Sequence, residues 1–112
     1  MNEDYPLFVK WYKTLDWILD TGEKFPKNVR FSLTGRLYDM ALDILEYIIE
    51  AIYTKERVYI LKKINIYMEK LRVFYRLSFE RRYISERQYR FISGELDESG
   101  RMVGGWIKQC GG

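Results

Sequence analysis

Four arginines, Arg81, Arg82, Arg87 and Arg90, fall within ten residues of one another, and Lys62, Glu69 and Arg76 precede them at intervals of seven. A seven-residue step returns a helix to nearly the same face, so Lys55, Lys62, Glu69 and Arg76 are expected to share one strip, with Lys63, Lys70 and Arg81 on its neighbour. Guanidinium forks match phosphate oxygens. Several cations on one surface bind a polyanion by releasing its counterions. Tyr75, Tyr83, Tyr89 and Phe91 interleave with these charges and are of a type that stacks on unpaired bases. Residues 55 to 90 hold eleven bases against four acids, a net of +7, whereas the first 54 residues net −3 and the last 22 net −1. The modest whole-chain charge of +3 therefore hides a polarised molecule with a basic block suited to nucleic acid. Lys62, Arg76, Arg81, Arg82, Arg87 and Arg90 are the expected phosphate contacts. The competing reading is a solvated face whose bases pair with the acids of a neighbouring helix.

Other chemistries find little support. The chain has no histidine, which removes imidazole acid–base catalysis and His-ligated metals. Its single cysteine, Cys110, cannot form a disulfide or a Cys-based zinc site within one chain. Asp39 with Asp43, and Glu46 with Glu50, are spaced for a hard cation, but no Glu-x-x-His partner accompanies them, and a solvated acidic face is the plainer reading. The run Gly100-Arg101-Met102-Val103-Gly104-Gly105-Trp106 lacks the spacing and Lys-Ser/Thr ending of a phosphate loop. Ser93, Gly100 and Gly104 instead make a strip of small residues that would let another backbone come close. No catalytic residue, metal or cofactor is assigned.

Four helical segments must position the basic block. The first is expected from Pro6 to Asp20, with Asp4 or Tyr5 as cap and Thr21-Gly22 as terminator; Leu7, Trp11, Leu15 and Ile18 mark its inner face. The second runs from about Pro26 to Tyr53, with Leu33, Leu37, Met40, Ala41, Ile44, Ile48 and Ile52 opposite the acidic stripe Asp39, Asp43, Glu46 and Glu50. The third runs from about Lys55 to Arg81, capped by Thr54. The fourth opens at Ser85, where Gln88 three residues on completes a capping box, and ends near Gln109 before Gly111-Gly112. Short links imply an all-α, up-down-up-down antiparallel four-helix bundle in one domain, residues 1–112. No apolar run reaches the length of a membrane span and no secretory pattern opens the chain, so a soluble, cytoplasmic protein is expected.

The third segment carries two apolar stripes. Ile60, Ile64, Tyr67, Leu71, Phe74 and Ser78, flanked by Leu61 and Met68, suit the core. Tyr59, Ile66, Val73 and Leu77 lie more than a quarter-turn away. A bundle has one inside, so the second stripe is expected to meet another copy in a ring or barrel homo-oligomer.

The opening of the second segment, Phe25-Pro26-Lys27-Asn28-Val29-Arg30-Phe31-Ser32-Leu33-Thr34-Gly35-Arg36-Leu37, resembles that of the accessory variability determinant (Avd) proteins of diversity-generating retroelements. Leu42 to Ala51 continue the likeness, and Leu96-Asp97-Glu98-Ser99-Gly100-Arg101-Met102-Val103-Gly104-Gly105-Trp106-Ile107-Lys108 is similar to that family's closing helix. The resemblance implies a four-helix bundle assembled as a barrel-shaped pentamer with a basic surface and no catalytic centre. It also implies partners: a reverse transcriptase, its template-repeat RNA, and the cDNA made from it by error-prone synthesis at template adenines. A related group, encoded in intervening sequences of large-subunit ribosomal RNA genes, carries a Ser-x-Pro-x-Asn-Ile-Ala-Glu-Gly-like stretch that this chain lacks. The alternative function is a helical-bundle protein-interaction module without nucleic-acid binding.

Overall fold

A computed structural model describes residues 2–111 as four helices: α1 Pro6–Gly22, α2 Gly35–Tyr53, α3 Arg57–Glu80 and α4 Glu86–Gln109. Met1 and Gly112, the ends of the expected domain and of the expected Gly-Gly stop, lie outside the described residues. No strand forms among those described, and the four-helix bundle measures 43 × 22 × 21 Å. Side-chain contacts tie neighbouring helices together. Trp11 Nε1 donates to the Ala41 carbonyl at 2.9 Å and the Tyr38 hydroxyl to the Leu19 carbonyl at 2.9 Å. Between α3 and α4, Phe79 stacks on Tyr89 while Arg72 pairs with Asp97.

Local chemistry sets the ends. Pro6 begins α1 after Tyr5, whose extended backbone serves as the cap position. The capping box at α4 forms in both directions: Gln88 N donates to Ser85 Oγ at 3.1 Å, and Ser85 N donates to Gln88 Oε1 at 2.8 Å. Gly111, at φ 75, takes the left-handed conformation after α4.

Three boundaries differ from expectation. α1 runs through Thr21 and Gly22. The stretch from Pro26 to Thr34 is not α-helix: Lys27–Val29 is a 3₁₀ turn and Arg30–Thr34 is π-helical, so α2 starts at Gly35. α3 starts at Arg57. Lys55 therefore precedes the helix and leaves the strip of Lys62, Glu69 and Arg76.

The core is a continuous apolar cluster. Trp11 and Ile18 of α1 meet Leu37, Ile44 and Ile48 of α2, Leu61, Ile64, Met68 and Leu71 of α3, and Ile92, Leu96 and Val103 of α4. On α3 the buried line is Leu61, Ile64, Met68, Leu71, Tyr75 and Ser78. Ile60, Tyr67 and Phe74 are half-buried flanks, a shift of the expected stripe by part of a turn. At roughly 1.5–3 kcal/mol for each large side chain buried, this cluster holds the helices together.

The glycines of α4 do not serve close packing within the subunit. A Cβ at Gly94, Gly100, Gly104 or Gly105 would meet nothing within 4 Å. Gly22 is the glycine that packing requires: a Cβ there would lie 2.5 Å from the Tyr38 ring, which its bond to Leu19 tethers. Gly22→Ala is expected to destabilise the protein by about 1–2 kcal/mol, because the clash outweighs the ~1 kcal/mol propensity gain. Gly104→Ala is expected to stabilise the single subunit by about 0.5–1 kcal/mol. Urea unfolding of both variants measures the contrast.

Candidate nucleic-acid interface

The turn between α3 and α4 is where the arginines gather. The Arg82 amide donates to the Phe79 carbonyl at 2.9 Å and the Tyr83 amide to the Ser78 carbonyl at 2.9 Å, the paired bonds of a Schellman ending. The left-handed position in that motif belongs ordinarily to glycine, yet Arg82 occupies it at φ 65. Aromatic side chains brace the turn: Tyr83 packs on Phe25 with centroids 5.7 Å apart, and Phe79 and Tyr89 lie parallel at 4.7 Å. Ile84 is buried beneath. On this frame Arg81, Arg82, Arg87 and Arg90 are all exposed. Arg81 lies over the Tyr83 ring, 5.7 Å from its centroid, and Arg90 pairs with Glu86 at 2.6 Å. Arg82 and Arg87 make no ion pair among the described residues. The first turn of α4 adds its own positive end to the same surface.

The backbone at Arg82 costs stability, and this is measurable. Left-handed geometry disfavours a non-glycine residue by about 1–2 kcal/mol, while a glycine costs about 0.4–1 kcal/mol more in unfolded-chain entropy. Arg82→Gly is therefore expected to raise stability by about 0.5–1 kcal/mol in urea unfolding. The same substitution is expected to weaken RNA binding several-fold in a titration at ~0.15 M salt, since it removes one of the expected phosphate contacts.

Lys62 and Arg76 are exposed but belong elsewhere. With Ile66, Glu69 and Val73 they follow one another at three- and four-residue steps along the outward strip of α3. Tyr59 is 71% exposed, Ile66 58%, and Val73 and Leu77 43% each, so the second apolar stripe faces solvent in the subunit. A third basic group sits between α2 and α3. Tyr47 and Tyr67 meet edge-on at 5.3 Å, with Lys63 4.9 Å from the Tyr47 centroid and Lys70 5.0 Å from that of Tyr67. The hydrogen bond to Tyr47 holds the Lys63 ammonium above its ordinary range, so its charge is secure near neutrality.

Of the aromatic residues expected among the charges, Tyr75 is misplaced. It is buried in the core, and burial pushes its phenol well up. Tyr83 and Tyr89 are half-buried and already engaged by Phe25 and Phe79. Phe91 is exposed and packs on Trp17 at 5.0 Å. The acids of α2 do not neutralise the basic block: Asp39, Asp43, Glu46 and Glu50 form no ion pair among the described residues. Nor do three metal-ligating side chains come together there. No helix among the described residues is long and apolar enough to cross a membrane.

No curated protein matches the chain. The family model described as bAvd-like matches residues 7–110, nearly the whole of the four-helix unit and all of the arginine turn. The helices, the basic turn and the apolar outer face are thus those of a chain that belongs to the bAvd-like family.

Proposed function

We propose that the protein is a non-enzymatic accessory factor of a diversity-generating retroelement. Its helices run up-down-up-down, each antiparallel to the next, and its subunits close into a homo-oligomeric ring, a pentamer by family analogy. It acts in the cytoplasm, docking the reverse transcriptase and holding template RNA and nascent cDNA through phosphates during mutagenic reverse transcription. The observation that carries this reading is the arginine turn: four exposed guanidiniums on a rigid, aromatic-braced frame, one of them kept at a backbone position that glycine would fill at lower cost. Membership of the bAvd-like family supplies the retroelement context. The pairing of Trp11 with Ala41 and of Leu19 with Tyr38 supports the antiparallel course, and the exposed Tyr59, Ile66, Val73 and Leu77 support self-association. Lys62 and Arg76, lying on that same strip, then act at the edge of the subunit contact.

A titration of labelled RNA from ~0.05 to 0.2 M salt tests the nucleic-acid claim: the expected result is binding that weakens steeply with salt. Co-purification with the reverse transcriptase of the same element tests the docking. The engagement of Arg81 by Tyr83 and of Arg90 by Glu86 favours one second reading, an interaction module whose basic face meets an acidic protein. Absence of any RNA shift alongside retained polymerase binding would select it.

A further inference from the structure

Beside the arginine turn lies a cleft of about 220 Å³ lined by Gly22, Glu23, Phe25, Pro26, Arg30, Thr34 and Tyr38. Drug-sized ligands occupy pockets of roughly 300 Å³ and more, so this one suits a group of one or two rings. Its wall is aromatic, and Phe25 joins it to the arginine turn through Tyr83. Thr34 is 4% exposed, and its Oγ1 has no hydrogen-bond partner among the described residues. The cleft is floored by the π-helical stretch Arg30–Thr34, a geometry that recurs at functional sites. Glu23 and Arg30 are both exposed at the cleft and bring one acceptor group and one donor fork.

We propose that this cleft takes one unpaired nucleobase, guanine by preference, from a strand whose phosphates lie on the arginine turn. Guanine offers O6 and N7 as paired acceptors for Arg30, and its amino group as donor to Glu23. Tyr38 and Phe25 supply apolar and aromatic surface for the ring. The proposal rests on the RNA-binding reading above.

The test uses single-stranded RNA decamers of one uridine background, carrying at the centre a guanine, an inosine (which lacks the amino group) or an abasic site. Binding is followed by anisotropy at ~0.15 M salt. The guanine strand is expected to bind about tenfold more tightly than the abasic strand, within the range of one stacked base, with inosine between. In Glu23→Ala the guanine strand is expected to bind no more tightly than the inosine strand, while both still bind more tightly than the abasic strand. Equal binding of guanine and abasic strands overturns the base site and leaves the phosphate reading standing. A guanine-over-inosine preference that Glu23→Ala retains also overturns it. Binding of none of the strands overturns both.

Discussion

Changing Arg81, Arg82, Arg87 and Arg90 together to Glu is expected to abolish RNA binding at ~0.1 to 0.2 M salt and to leave helix content unchanged. All four side chains are exposed, and none contributes to the apolar cluster. The one ion pair lost, Arg90 with Glu86, is a surface pair worth about 0–1 kcal/mol. The change at the turn is much larger electrostatically, from four positive groups to four negative ones on one short surface. Each phosphate contact to a single strand contributes about −0.7 to the slope of log affinity against log salt. Neutral Arg→Gln replacements at the same four positions are therefore expected to leave weak binding with a slope shallower by about 3. Anisotropy titrations across salt, with circular dichroism on the same samples, give both readouts. Unchanged affinity in the Glu variant would sink the proposal that the turn holds RNA.

How far the sequence foretold this site depends on which residues are asked about. Pro6 and the Ser85–Gln88 pair mark helix starts by local chemistry alone, and both function as read. The core faces of α1 and α2 followed from their spacing because each has one apolar face. Arg81, Arg82, Arg87 and Arg90 were legible as a cluster because a tight turn keeps sequence neighbours together in space. Tyr75 was misread because Arg72 and Arg76 lie close to it in sequence; it follows Met68 and Leu71 at steps of seven and four, which puts it in the core. The π-helical entry was hidden because Leu33 and Leu37, four apart, continue the α-period across it. Gly22 read as a terminator, since only the three-dimensional fold brings the Tyr38 ring against it. Arg82 gave no signal of its left-handed backbone, because arginine carries no preference that would announce one. Thr34 sits in an ordinary helical setting by type, and its unpaired hydroxyl exists only once the cleft is built.

Ile66→Glu combined with Val73→Glu converts the proposed ring into single subunits without unfolding them. Both residues face outward on α3, 58% and 43% exposed, so the charges enter water and the core is untouched. In an assembled ring the same positions are covered, and each buried, unpaired carboxylate costs several kcal/mol. The surrounding charge pattern suggests what covers them. Lys62 and Arg76 share this strip of α3, whereas the outward face of α2 presents Asp39, Asp43, Glu46 and Glu50, which form no ion pair among the described residues. Contact between the basic strip of one subunit and the acidic strip of the next joins two different surfaces, and such heterologous contacts form a ring when their rotation closes. Light scattering on the wild type is expected to give a single multiple of the 13.6 kDa chain, and on the double variant the chain mass itself. Lys62→Glu with Arg76→Glu is expected to weaken assembly, and adding Asp43→Lys with Glu46→Lys is expected to restore it, since the reversed charges again face their opposites. A wild type that scatters as one chain at all concentrations would sink the ring. An Ile66→Glu, Val73→Glu variant that assembles normally would place the contact on another face.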